Sequence, residues 1–204
     1  MSPRATRALA AGGIIGPFAF VVAWVLEGMS TKGYSPIEDA ISELARTHAP
    51  TRVAMTLGFV AFGLGVISFG LALRASGAGP AGISAIATAC FTLAVAATPL
   101  GAPARDVVHG TFASLGYVTL AGVPLLSVRP LRRAGRLDGV RASAAAATGA
   151  VLCLAASTIG PAHGLFQRAG LTIGDIWIVV TAFHLVRGHD VFATRSVTEA
   201  GRRT

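Results

Sequence analysis

Charge is scarce in this chain. Of its 204 residues only 13% are Asp, Glu, Lys or Arg, about half the ~25% of a soluble domain. That shortage excludes an ordinary water-facing surface. Cysteine is nearly absent as well. Cys90 and Cys153 are the only two, each inside an apolar block, so a disulfide framework is excluded and both read as small apolar side chains of a bundle. No H-E-x-x-H, H-x-x-x-H or G-x-S-x-G occurs, which removes the common zinc-protease and serine-hydrolase signatures. No internal repeat is visible, so an inverted-repeat transporter is not indicated. The first apolar run is longer than a signal-peptide core, and Glu27-Gly28-Met29 at its end is no small-x-small cleavage site. It reads as a retained span.

What the chain has is apolar length. Hydrophobic residues make up 53%, gathered in six blocks at about 8–27, 53–74, 82–100, 107–128, 143–160 and 172–187. Each approaches the ~20 residues needed to cross a 30 Å hydrocarbon core. The expected fold is therefore all-α: a polytopic membrane protein with a bundle of six transmembrane helices in one domain, residues 1–190, followed by a flexible tail, 191–204. The net charge of +8 does not indicate nucleic acid, because the basic residues fall in short loops between apolar blocks. Twelve of the seventeen, including Arg4, Arg7 and the run Arg129–Arg141, lie on the side of the termini; Lys32, Arg46, Arg52, Arg105 and Arg168 lie on the other. The positive-inside rule then puts both termini in the cytoplasm of a bacterial plasma membrane. The run 29–51 and the loops near 101–106 and 161–171 face outward. The basic loop 129–141 is placed to touch anionic lipid.

Small residues indicate how the helices meet. Gly12 and Gly16 are four apart, and Ala54, Gly58 and Phe62 repeat the spacing in the second span, a pattern that lets backbones approach. Pro17 and Pro124 lie inside spans and are expected to kink them. Trp24 and Trp177 are expected in the interfacial aromatic belt.

The long outer loop reads EGMSTKGYSPIEDAISELARTHAP. Ser35, Pro36 and Glu38 form a helix-start pattern. Ile37, Ile41 and Leu44 then follow at helical spacing, so a short amphipathic helix is expected over about 36–47. Its three acids make it unsuited to an anionic lipid surface, and it reads as a lid on the bundle.

Polar side chains concentrate on the lid side. Asp106 and His109 are three apart and share a helix face, with Ala113, Gly116 and Tyr117 further along it. Asp106 suits a helix N-terminus; an imidazole one turn deeper marks a functional position. Glu27, Glu43, His48, Arg105, His163, Gln167 and Arg168 belong to the same side. From these, Glu43, Asp106, His109, His163, Gln167 and Arg168 are the candidate ligand-binding residues. His48, His109 and His163 are a candidate zinc set. Asp175 reads as an N-cap of the sixth span, and His184 as an interfacial residue near Arg187.

Taken together, GYSPIEDAISELA after the first span, with its Ser42-Glu43-Leu44 element, the acid-x-x-His pair Asp106/His109 opening the fourth and GLFQRAG before the sixth resemble the bacterial membrane family named domain of unknown function 998. The resemblance covers about residues 8–190. It implies an integral membrane protein and draws attention to the outer polar residues. It implies no reaction.

Four functions compete. The first is a His- and acid-lined outer pocket that binds or moves a lipid head group or small polar ligand. No acid is placed at mid-membrane, which argues against ion-coupled transport. The second is a membrane-embedded, metal-dependent hydrolase or transferase. The third, haem held between His109 and His163, lacks the second His pair that electron transfer across the membrane needs. The fourth is a non-catalytic accessory or structural subunit.

Overall fold

The computed structural model describes residues 1–193. Six α-helices follow one another: α1 (Pro3–Ser30), α2 (Arg52–Ala75), α3 (Gly79–Ala97), α4 (Pro103–Arg133), α5 (Leu137–Ala156) and α6 (His163–Val186). All six are long and apolar enough to cross a membrane, and no strand occurs among the described residues. The expected six-helix class is therefore the observed one.

Each helix packs on the next in sequence, and α6 packs back on α1. The result is a ring in chain order. Helices α4 and α6 also touch, which leaves α5 outside their seam as the least buried span. With six alternating spans both ends of the described chain lie at one end of the ring, where Arg7 meets Gly188. Phe192 is buried there, so the packed unit runs past residue 190. The rest of the expected tail, 194–204, lies outside the described residues.

Glycine sets the closest approach. A Cβ on Gly65 would stand 2.5 Å from the Gly12 carbonyl oxygen and 2.7 Å from Gly16 Cα. The α1–α2 contact is thus backbone on backbone, as the four-residue spacing predicts. Helices α2 and α3 meet likewise, Gly70 against the carbonyl of Gly82.

Two expectations fail in instructive ways. Trp177 is not in an interfacial belt: it is buried and donates from Nε1 to Ser143 Oγ at 2.9 Å, joining α6 to α5. The outer loop is not an α-helix over 36–47. It forms turns and then one short 3-10 segment, Ile41–Ala45, here called the strap. Ser35 does accept from Glu38 N, but the returning carboxylate is Asp39, whose Oδ2 accepts from Ser35 N at 2.7 Å. That closed turn halts the helix before it can propagate. The apolar residues still go inward: Ile41, Leu44 and Ala45 are buried, while Ile37 is 55% exposed. Burying Ile41 and Leu44 contributes about 1.5–3 kcal/mol each. The reading as a lid holds; the helical geometry does not.

Candidate functional site: a recess beneath the strap

The loop that carries the strap is tied to the start of α2, to the turn between α3 and α4, and to α6. Thr47 N donates to Leu100 O at 2.8 Å, Leu165 N to Ile37 O at 2.9 Å, and Thr51 Oγ1 to Leu44 O at 2.7 Å. Gly164 has no room for a side chain, because a Cβ there would collide with Asp39 O. Arg168 adds a buried clamp. Its Nη1 donates to the carbonyls of Pro36, Asp39 and Gly164 at 2.8, 2.8 and 2.9 Å, and Nη2 donates to the Tyr34 hydroxyl. The guanidinium also lies 5.4 Å from the ring centres of both Trp24 and Tyr34, a favourable cation–π geometry. Burial pushes the Tyr34 phenol above its ordinary pKa, and the neighbouring Arg168 charge opposes that rise. Arg168 therefore acts on the loop.

Gln167 performs the same task one residue earlier. Its Oε1 accepts from the buried Ile41 N at 2.9 Å, and its Nε2 donates to the Tyr117 hydroxyl of α4. One amide thus fixes strap, α6 and α4 together.

Below this tie lies a recess at the centre of the ring, with a cavity volume of about 50 Å³. That is room for a few water molecules. Its floor and walls are mainly apolar, with Phe20, Phe59, Phe62, Val95, Phe112 and Leu171 among them. Its polar groups are Ser42, Thr88, Thr92, Tyr117 and Gln167. Thr88 and Thr92 spend their protons on their own helix, donating to Ser84 O and Thr88 O at 3.0 Å each, which leaves their oxygen lone pairs available.

No ionisable carboxylate, imidazole or cation lines the recess. This corrects the expected His- and acid-lined pocket. Of the six expected ligand residues only Gln167 reaches it. Glu43 points away into a local ion pair with Arg46 at 2.5 Å. Asp106 turns back on its own helix start, accepting from Gly101 N at 2.8 Å and Ala102 N at 3.3 Å. His109 is buried and inward, as its position demands, but its Nδ1 is engaged by Thr98 O at 2.7 Å, pinning α4 to the end of α3. Its Nε2 is buried without a partner among the described residues. His163 is partly exposed at the first turn of α6. His48 is exposed in a left-handed turn at φ 74°.

The three histidines do not form a metal set: among the described residues no group of three or more His, Cys, Asp or Glu could hold a metal ion. At the opposite end of the ring, His184 Nδ1 lies 3.1 Å from His189 Nδ1 in an exposed turn.

The family model described as "Protein of unknown function (DUF998)" matches residues 14–184. The chain belongs to that family. No curated protein and no solved structure matches it. The DUF998 match begins within α1 and ends within α6, so the recess and its ties lie inside the matched residues.

Sequence reasoning missed several residues that matter. Tyr117 was visible as one hydroxyl on an otherwise small-residue face of α4. Thr88 and Thr92, four apart in an apolar span, carried a signal that periodicity could have found. Asp175 does not lie where the sequence places it. Because α6 begins at His163 and not near 172, Asp175 is no N-cap but the midpoint of a 24-residue helix. It is 5% exposed, and its Oδ1 has no hydrogen-bond partner among the described residues. The polar His163, Gln167 and Arg168 had masked the true start of the span.

Proposed function

We propose that this DUF998 protein is a binding module of the bacterial plasma membrane, with its termini in the cytoplasm and its recess in the outer leaflet. The ligand is a small neutral, lipid-like molecule, or the end of a longer one, carrying a hydroxyl or carbonyl. The observation that carries this reading is the lining: an apolar recess at mid-ring whose only polar groups are uncharged. Hydroxyl and amide groups orient a neutral polar atom, whereas a phosphate or an ammonium would enter unpaired. The concentration of basic residues at the end where the termini meet supports the orientation. The ties of Gln167 and Arg168 make the strap a cover that must shift for anything larger than a few atoms.

The test fills the recess. Gly116 lines it, and a Cβ there meets only Phe91 Cβ at 3.7 Å, so Gly116→Leu adds bulk at the recess wall without a clash at its Cβ. Gly110→Leu, where a Cβ meets nothing within 4 Å, is the control on the same helix. Small molecules extracted from the two purified variants and the wild type are compared by mass spectrometry. A neutral lipid-like species enriched in wild type and Gly110→Leu and depleted several-fold in Gly116→Leu is the expected result. Identical extracts from all three would leave the protein as a packing or accessory subunit.

A further inference from the structure

Asp175 has no structural employment. An acid inside a helix is a poor helix former and is usually explained by a cap, an ion pair or a hydrogen bond. None of these exists for it: no hydrogen bond or salt bridge reaches its carboxyl among the described residues, and Oδ1 is fully enclosed. Its depth makes this costly. Twelve residues separate it from the first residue of α6, roughly 18 Å of helix, which is mid-membrane. It shares a helix face with Leu171 and Gln167, four and eight residues earlier, both of which line the recess. The carboxyl therefore belongs to the interior of the ring, below the recess.

We propose that Asp175 is a proton-binding site at the middle of the membrane. A lone carboxylate in hydrocarbon costs several kcal/mol, and a single bound proton removes the charge completely. Other cations need more than this site offers. Magnesium and calcium demand six or more oxygen ligands, and among the described residues no group of three or more His, Cys, Asp or Glu could hold a metal ion.

The charged and titratable groups on the surrounding elements make no hydrogen bond or ion pair with Asp175 among the described residues. Helix α1 carries Arg4, Arg7 and Glu27 near its two ends and the strap carries Glu43; α4 carries Arg105, Asp106 and His109 in its first two turns, Arg129, Arg132 and Arg133 in its last two, and Tyr117 between them, bonded to Gln167; α5 carries Asp138 and Arg141 in its first two turns and Cys153 near its end. On α6 itself Arg168 and His184 lie seven and nine residues away, about 10 and 13 Å. None is bonded to Asp175. The proton therefore comes from water that reaches the ring interior and returns to it. When it leaves, the carboxylate must be hydrated, so loss of the proton and admission of water to the lower ring are one event.

The site is tested on the full chain in phosphatidylcholine vesicles by infrared difference spectroscopy, wild type minus Asp175→Asn, across a pH series. The expected result is a protonated-carboxyl C=O band at the acid end. It gives way to carboxylate bands as pH rises, the protonated fraction falling about tenfold per pH unit beyond its midpoint. His109→Ala should leave the series unchanged. If Asp175→Asn does not fold, Asp175→Glu supplies the difference instead, with the same band displaced. Carboxylate bands at every pH, or a protonated band that never titrates, would overturn the proposal. No ligand enters this measurement, so its failure leaves the recess reading standing, and the converse holds.

Discussion

Gln167→Met is the most informative single change. Methionine keeps the volume of glutamine and removes both of its hydrogen bonds, so the loss is not a cavity effect. Ile41 N is buried and its acceptor is Gln167 Oε1; orphaning such a donor costs about 1–3 kcal/mol, and the bond to Tyr117 contributes about 0.5–1.5 kcal/mol more. The sum is about 2–4 kcal/mol. For a chain of this length each kcal/mol moves the melting temperature by about 2–4 °C, so a fall of roughly 5–15 °C is expected. Thermal melts in detergent, read by the fluorescence of Trp24 and Trp177, measure it. Trypsin supplies the local readout. Arg46 follows the strap directly, and release of Ile41 should speed cleavage there well before the helices melt. An unchanged melting temperature together with unchanged protection of Arg46 would refute the view that this amide holds the cover.

Other outcomes follow from the same contacts. Gly65→Ala should destabilise the protein by about 1–3 kcal/mol, since its Cβ meets the Gly12 carbonyl at 2.5 Å; a chemical-denaturation series in mixed micelles checks it. Tyr34→Phe should cost about 1–3 kcal/mol at neutral pH, because it removes the hydroxyl that accepts from buried Arg168 and donates to Ala40 O at 3.2 Å, and it should also change the alkaline limb. The folded-state pKa of Tyr34 is raised above 10.0, so its contribution is complete below that value and is lost as pH climbs through the folded pKa. Melting temperatures should fall more steeply above about pH 10 in wild type than in Tyr34→Phe. Asp39→Ala removes the acceptor for Ser35 N and should cost about 1 kcal/mol, seen as faster proteolysis at Lys32 with the bundle intact.

The helices were legible because their physics is local. Twenty apolar residues in a row have one solution in lipid, and the Gly12/Gly16 spacing gave the α1–α2 contact without any tertiary knowledge. What stayed hidden depended on partners distant in sequence. Gln167 and Arg168 read as ligands for something external, yet they bond backbone groups of the strap and of the turns just before it, about 130 residues away. A polar residue that satisfies a buried peptide group looks the same in sequence as one waiting for substrate. Asp106 and Glu43 found partners within five residues, and those local bonds removed them from the site. The spacing predicts a helix across the strap, but the Asp39 turn competes with helix propagation, which spacing alone does not reveal. The misplaced start of α6 then displaced Asp175 from its true depth.

The ring in chain order has a consequence for how the molecule is made. A ribosome delivers α1 first and α6 last, yet these two are neighbours. Until the final span inserts, five helices form an open arc, with the Gly13 side of α1, which meets Ala182 of α6 in the closed ring, facing lipid. The last helix is thus the keystone, and it is the one that carries the mid-membrane acid. A translation product truncated before residue 163 would lack α6, and with it both anchors of the loop and the seam that shuts the circle.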